Sequence, residues 1–352
     1  MTESSTASRV LFLDVGYGAS AIVCLPSPGE AILIDSADAP TTLRGLRKAR
    51  IKRLRLVLVT HSDADHTRGI ATTLRNFPGR VDRILYHPDR RRIEDTQQSY
   101  QMILKIAAER DIPSGPACSD QNDRLHKFPL DACCILYPKY EDVCRNLERG
   151  GAPNRASAVF FVSFRGRSFL FGGDLEAHGW DHLHDQGAIP RADVFLLPHH
   201  GGEFHRAQSS RRAHRPQAGI NHEALLEQIA PQFVVISTGT SAQTNFPPHA
   251  RVLDVLATYG ANRSGFHVFC TELTVRCHPT PLLYRKTAIE GIQRNDWPAM
   301  FASSPASCPC GGTICFVVRA TGDMSVSPDV VSHDHFVMQL PHPRCRPEWA
   351  TR

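Results

Sequence analysis

Several protein classes are excluded by what this chain does not contain. No apolar run approaches the length a bilayer requires, and the opening MTESSTASRV has neither the basic stretch nor the apolar core of a secretory signal. The expected compartment is therefore the cytoplasm, with no membrane contact. The 11 cysteines include no CxxC pair, so the common structural-zinc spacing is missing. An odd, scattered set in a reducing compartment reads as small buried thiols. Neither sign of charge dominates: the formal net charge is +5 and charged residues make up 21%, which argues against a disordered chain. Aromatic residues are not clustered where they would offer a surface for stacking bases.

What is present suffices for one large domain and an appendage, since 41% of the 352 residues are hydrophobic. RVLFLDV, SAIVCLP and AILIDSA, separated by glycine- and proline-bearing turns, predict a β-meander. TTLRGLRKAR predicts a helix, LRLVLVT a strand, TRGIATTLRNF a helix, VDRILYH a strand and EDTQQSYQMILKIAAERD a longer helix. In the second half, SAVFFVSF-RGR-SFLFGGD predicts a hairpin. ADVFLLPHH and PQFVVISTG then read as strands, HARVLDVLATYG as a helix and HVFCTELTVRC as a last β segment. This alternation implies a layered α/β architecture. The rhythm weakens near residue 280. Residues 1–280 are taken as one domain and 281–352 as a linker with a small, Cys-containing, β-rich extension. In that extension CPCGGTIC is an irregular zinc pattern, and the histidines of VVSHDHF are expected at the surface.

The stretch VTHSDADHTRG, residues 59–69, carries the chemistry. His61, Asp63 and Asp65 alternate just past a predicted strand, so in extended chain they point the same way. His66 follows where the chain turns into a helix and can swing back toward them. Carboxylates gathered this closely repel one another, and a divalent cation reverses that cost. His and Asp donors suit zinc, and a carboxylate-rich set also suits manganese. Further donors stand at other strand ends: Asp174 after FLFGG, and His199 and His200 after VFLLP.

With these segments in order, the chain resembles the metallo-β-lactamase superfamily, and most closely the hydrolase domain of ComEC-type DNA-uptake proteins. The likeness spans roughly residues 9–278 and rests on FLDVGYGASAIVCLPSPGEAILIDSA, THSDADH, NRASAVFFVSFRGRSFLFGGDLE, ADVFLLPHHGG and PQFVVISTGTSAQTNFPPHARVLDVL. It implies a four-layer αββα sandwich with two divalent metal ions, zinc or manganese, at one edge. By the same likeness His61 and Asp63 would hold one metal, Asp65, His66 and His199 the other, and Asp174 would bridge them. His200 would be the alternative ligand or a proton donor, and Asp35 would orient the ligand-bearing loop. Asp65 and His200 thus also enter the catalytic set, together with His249, a shifted substitute for the family's Gly-His-Pro histidine. The sequence departs from the pattern in lacking a third histidine near Asn154–Ser157, in reading HHGG, and in the length of the Arg-rich segment from Glu203 to Glu223.

Water between two cations ionises near neutral pH, which serves hydrolysis of phosphodiesters, lactams, esters and peptides alike. The resemblance favours DNA or another nucleotide substrate. Arg206, Arg211, Arg212 and Arg215 would contact phosphates, with Asn154 and Ser157 lining the substrate pocket. The basic run at residues 44–55 reads first as a solvated helix face. The leading expectation is a metal-dependent phosphodiesterase or nuclease. The alternatives are a hydrolase of a small ester, lactam or peptide, and a non-catalytic metal-binding protein that meets a protein partner through its extension.

Overall fold

Short turns and apolar strand residues set the opening of the fold, as the sequence predicts. The computed structural model describes residues 7–89, 94–204, 220–240, 246–278 and 308–347. Strands β1 (Ser8–Phe12), β2 (Ala21–Cys24) and β3 (Glu30–Ile34) form the antiparallel meander. β4 (Arg53–Leu58), β5 (Arg80–Val81), β6 (Ile84–Tyr86) and β7 (Ser114–Pro116) then add in parallel. The second sheet runs β8 (Ala132–Tyr137), β9 (Val159–Phe164), β10 (Arg167–Phe171), β11 (Val194–Leu196), β12 (Phe233–Ile236) and β13 (His267–Cys270). β9 and β10 are joined by the two-residue turn Arg165–Gly166, with φ of 55° and 72°, the double positive φ that a tight right-twisted hairpin demands. β10 to β13 are parallel, so their carboxyl ends share one edge.

The helices are α1 (Ala39–Lys48), α2 (Ala64–Thr67), α3 (Ile70–Asn76), α4 (Glu94–Glu109), α5 (Asn122–Leu125), α6 (Tyr140–Glu148), α7 (Ala177–Asp185), α8 (His222–Ile229) and α9 (Ala250–Ala261). Asp38 caps α1 by accepting from Thr41 N at 2.9 Å, just before Pro40. Three apolar clusters fix the layers. Phe12, Phe160, Phe169 and Phe171 fill the space between the sheets. Leu46, Ile70, Leu74 and Ile103 of α1, α3 and α4 cover Leu33 and Val57 on the outside of the first sheet. Trp180, Leu225 and Leu253 of α7, α8 and α9 cover Phe195 and Val234 on the outside of the second. The result is the expected αββα sandwich.

Two expectations about the end of the chain are revised. The extension is not β-rich alone: β14 (Ile314–Val318) and β15 (Met324–Ser327) are followed by α10 (Val330–Met338). β14 pairs with β1, so this segment lengthens the first sheet and covers the edge of the meander. His333, expected at the surface, is fully buried. The reason is its helical setting: α10 turns it inward against His267 and Phe269 of β13. Arg346 joins them, its Nη2 lying 3.3 Å from His267 Nε2 and 3.0 Å from His333 Nδ1 while its Nε meets Asp334 at 2.7 Å. All 11 cysteines are free thiols. Within the basic run, Arg53 and Arg55 pair with Glu30 and Asp82, while Arg47, Lys48 and Arg50 are exposed. No described helix is long and apolar enough to cross a membrane.

Candidate metal centre

Five strand ends deliver the site. β3 ends before Asp35, β4 before Thr60 and His61, β10 before Asp174, β11 before His200 and β12 before Ser237. One donor atom from each of Asp65, His66, Asp174 and His200 lies within 4.8 Å of all the others. His66 Nε2 is 3.2 Å from Asp174 Oδ1, and His200 Nε2 is 3.3 Å from Asp65 Oδ2 and 3.8 Å from Asp174 Oδ2. His61 approaches from the other side, with Nε2 3.6 Å from Asp63 Oδ2 and 3.8 Å from Asp174 Oδ2. Asp174 thus touches both groups, the place the resemblance assigns to a shared carboxylate.

The opposite ring atoms are held by one carboxylate and one backbone carbonyl. His66 Nδ1 lies 2.7 Å from Asp35 Oδ2, whose carboxylate also accepts from Thr60 N and Thr60 Oγ1, both at 2.8 Å. His200 Nδ1 donates to the Ser237 carbonyl at 2.8 Å. With Nδ1 so engaged, Nε2 is the atom each ring turns toward the carboxylates, and the two Nε2 atoms lie 3.3 Å apart. Buried His61 Nε2 has no hydrogen-bond partner. Crowded carboxylates, converging imidazole nitrogens and an orphaned buried nitrogen form a donor set that fits divalent cations.

Electrostatics point the same way. Burial pulls the His66 pKa down, but Asp174 and Asp35 outweigh it and hold it well above the ordinary histidine range. His200 is raised likewise, burial being overcome by Asp174 and Asp65. His61 goes well below its ordinary value, through burial and then the neighbouring His66. Burial would raise the Asp174 carboxyl, yet His66, His200 and His61 hold it well below the usual range. The carboxylates thus favour positive charge beside two of the rings, the charge a bound divalent cation would supply.

The predicted pair is corrected in one respect: His200, not His199, supplies the converging donor. Both have left-handed backbone, with φ of 53° and 54°, a conformation that non-glycine residues adopt rarely and mostly at functional sites. The turn buries the His200 ring and leaves His199 half-buried, its N–H donating to the Gly173 carbonyl at 3.0 Å.

Ser157 is also placed differently from the expectation. It is fully buried, and its Oγ accepts from Asp174 N at 2.9 Å and lies 3.4 Å from His61 Nδ1. It therefore orients ligands. Asn154 belongs to the preceding 3₁₀ turn, Pro153–Ala156, and its Oδ1 is buried without a hydrogen-bond partner. The His249 N–H donates to Gly201 O at 2.9 Å and braces the His200 turn, while its ring is not among the four clustered donors. Arg206, Arg211, Arg212 and Arg215 lie outside the described residues.

Sequence reasoning missed Tyr17. The β1–β2 loop brings its ring to 5.3 Å from the His200 ring. Its hydroxyl is raised above the ordinary tyrosine range by burial and by Asp65, Asp174 and Asp63. The GYG triplet was visible as a turn, but nothing local pairs it with residues from the far strands.

Layered sheets with imidazoles and carboxylates gathered at one strand edge define the class as a metallohydrolase-type αββα sandwich. The chain belongs to the metallo-beta-lactamase superfamily, whose family profile matches residues 13–213. ComE operon protein 3 of Bacillus subtilis is 22% identical over 281 residues, which is 72% of this chain and 31% of that protein. This chain thus spans about a third of that relative's length. Among solved structures, a mutant CmlA beta-hydroxylase is 14% identical with a TM-score of 0.44, covering 74% of this chain and 52% of its own. The metallo-beta-lactamase fold protein YhfI of Bacillus subtilis is 12% identical with a TM-score of 0.35, covering 64% and 85%.

Proposed function

We propose that this chain is a metal-dependent phosphodiesterase that cleaves DNA or another nucleotide substrate. The observation that carries the metal half of this reading is the convergence of Asp65, His66, Asp174 and His200, with His61 and Asp63 meeting Asp174 from the other side. Those six residues would hold two divalent cations, zinc or manganese. Such ions supply a nucleophilic water near neutral pH and offset charge on the attacked group. The chain's own residues do the rest. Asp35 and the Ser237 carbonyl fix the tautomers of His66 and His200, and Ser157 ties the Asp174 backbone to His61. Half-buried Asp63 and Asp65 stand on the solvent side of the buried imidazoles, where a substrate enters.

The phosphodiester half is supported by the HxDxDH form of the first motif and by the ComEC-type resemblance, with which the ComE operon relative agrees. The test is incubation with manganese or zinc and a panel of single-stranded DNA, duplex DNA, RNA and cyclic dinucleotides. Cleavage of at least one, abolished by Asp174→Asn, is the expected result. No cleavage of any of them overturns the proposal.

A further inference from the structure

The aromatic surface that the sequence did not reveal is assembled by the fold. Tyr17 comes from the β1–β2 loop and Phe246 from the segment before α9. Their rings meet edge-on, with centroids 5.1 Å apart and planes at 79°. Tyr17 is one of the few large apolar side chains left exposed among the described residues, at 37%. On its other side it abuts the His200 ring, one of the clustered donors. The platform therefore stands at the mouth of the metal centre.

Its backbone is held in place. Gly16 and Gly18 flank Tyr17 with φ of 72° and 134°. Gly18 O accepts from Ser237 Oγ at 2.7 Å, and Ala19 N donates to Asp65 O at 3.0 Å. A Cβ on Gly239 would lie 2.5 Å from Tyr17 N, so the β12 loop packs directly against it. The residues that pin the loop are the ones that place His200 and Asp65. Ring and donors thus keep a fixed separation, which lowers the ordering cost of binding.

We propose that Tyr17 and Phe246 form a stacking platform for a nucleobase flanking the scissile phosphodiester, and that the preferred substrate is unpaired nucleic acid. This rests on the phosphodiesterase reading above. In a duplex each base face is already covered by its neighbours, whereas an unpaired base offers its face to an exposed ring. Stacking of this kind is tolerant of sequence, because every base has a π-face.

The test is a set of fluorescence-anisotropy titrations of the full chain in EDTA, where no strand is cut. One labelled single-stranded oligonucleotide carries bases, and the other has the same backbone with abasic sites. The wild type is expected to bind the base-bearing strand about ten-fold more tightly. Tyr17→Leu removes most of that difference, and Tyr17→Trp, which keeps an aromatic ring, retains it. Thermal melts of both variants establish that they fold. Equal wild-type affinity for the two strands, no binding to either, or an undiminished preference in a folded Tyr17→Leu overturns the proposal. Binding is read here without turnover. A failure of cleavage in the substrate panel therefore counts against the phosphodiesterase reading, and these titrations separately decide the platform.

Discussion

Asp35 Oδ2 and His66 Nδ1 face each other at 2.7 Å, both buried, Asp35 directly after β3 and His66 in α2, which follows the neighbouring parallel strand β4. Asp35 has φ of 55°, a left-handed conformation that aspartate tolerates better than most residues. The turn aims one carboxylate at Thr60 N, Thr60 Oγ1 and His66 Nδ1 together. A single side chain thus fixes both the start of the ligand loop and the ring orientation of one ligand.

Asp35→Asn should weaken metal binding about 10–100-fold, the usual cost of removing a carboxylate that supports a ligating histidine. An asparagine can still accept from His66 Nδ1–H through its carbonyl. It then turns its NH2 toward Thr60 N and loses that bond. Competition against a chromophoric chelator measures the affinity. Wild-type affinity in the variant would show that Asp35 does not act through His66.

His200→Ala and His199→Ala should separate sharply. His200 Nε2 points at Asp65 and Asp174, whereas the His199 ring stands outside the cluster. The first variant should lose at least one equivalent of bound metal and about 10²-fold or more in turnover, the scale on which removal of an essential catalytic group is felt. The second should retain both metals. Elemental analysis of the purified variants decides this, and loss of metal in His199→Ala alone would reverse the assignment.

How much of this was readable in advance follows from the range of the interactions. HxDxDH lies within one turn and one loop, so its donors could be listed without a fold. Asp174 and the histidine doublet were legible because each follows an apolar strand run. Which histidine turns inward was not, since it depends on two successive left-handed residues and on the Ser237 carbonyl from a different strand. Tyr17 beside Phe246 was invisible for the same reason: nothing in GYG says that a segment more than two hundred residues later packs on it. VVSHDHF misled because its alternating histidines look solvated until a helix and Arg346 give His333 a buried partner.

Gly18→Ala should damage the site through the backbone. At φ of 134° an L side chain is strained, and the added Cβ would lie 2.3 Å from Asp65 O and 2.4 Å from Ala37 Cβ. Neither is a flexible side-chain end, so the β1–β2 loop or the metal loop must move. A loss of about 2 kcal/mol or more in stability is expected from strain of this kind, together with a fall in metal affinity as Asp65 shifts. Denaturant melts and chelator competition report the two effects. Unchanged values in both would mean that the loop is not pinned as described.

The cluster of His267, His333 and Arg346 makes stability pH-dependent far from the metal centre. Burial, and then Arg346, depresses His267 from 6.5 to about 3. Burial, Arg346 and His267 place His333 well below its ordinary value too. Asp334 pairs with Arg346 from the other side, and Cys310 Sγ lies 3.4 Å from His333 Nε2. The unfolded chain takes up protons on these histidines near pH 6.5, while folded His267 does not until near pH 3 and folded His333 is displaced in the same direction. Between those values the unfolded state binds more protons, so stability falls as pH falls, by at most about 1.4 kcal/mol per pH unit for each histidine. Above pH 6.5 this contribution is flat. His267→Gln/His333→Gln keeps carbonyl acceptors for Arg346 but removes both titrations, so its stability should fall less steeply than the wild type's from pH 6.5 downward. Chemical denaturation across that range measures the two slopes. Parallel slopes would mean that the histidines are already protonated in the folded chain, and the neutral pair facing Arg346 would have to be abandoned.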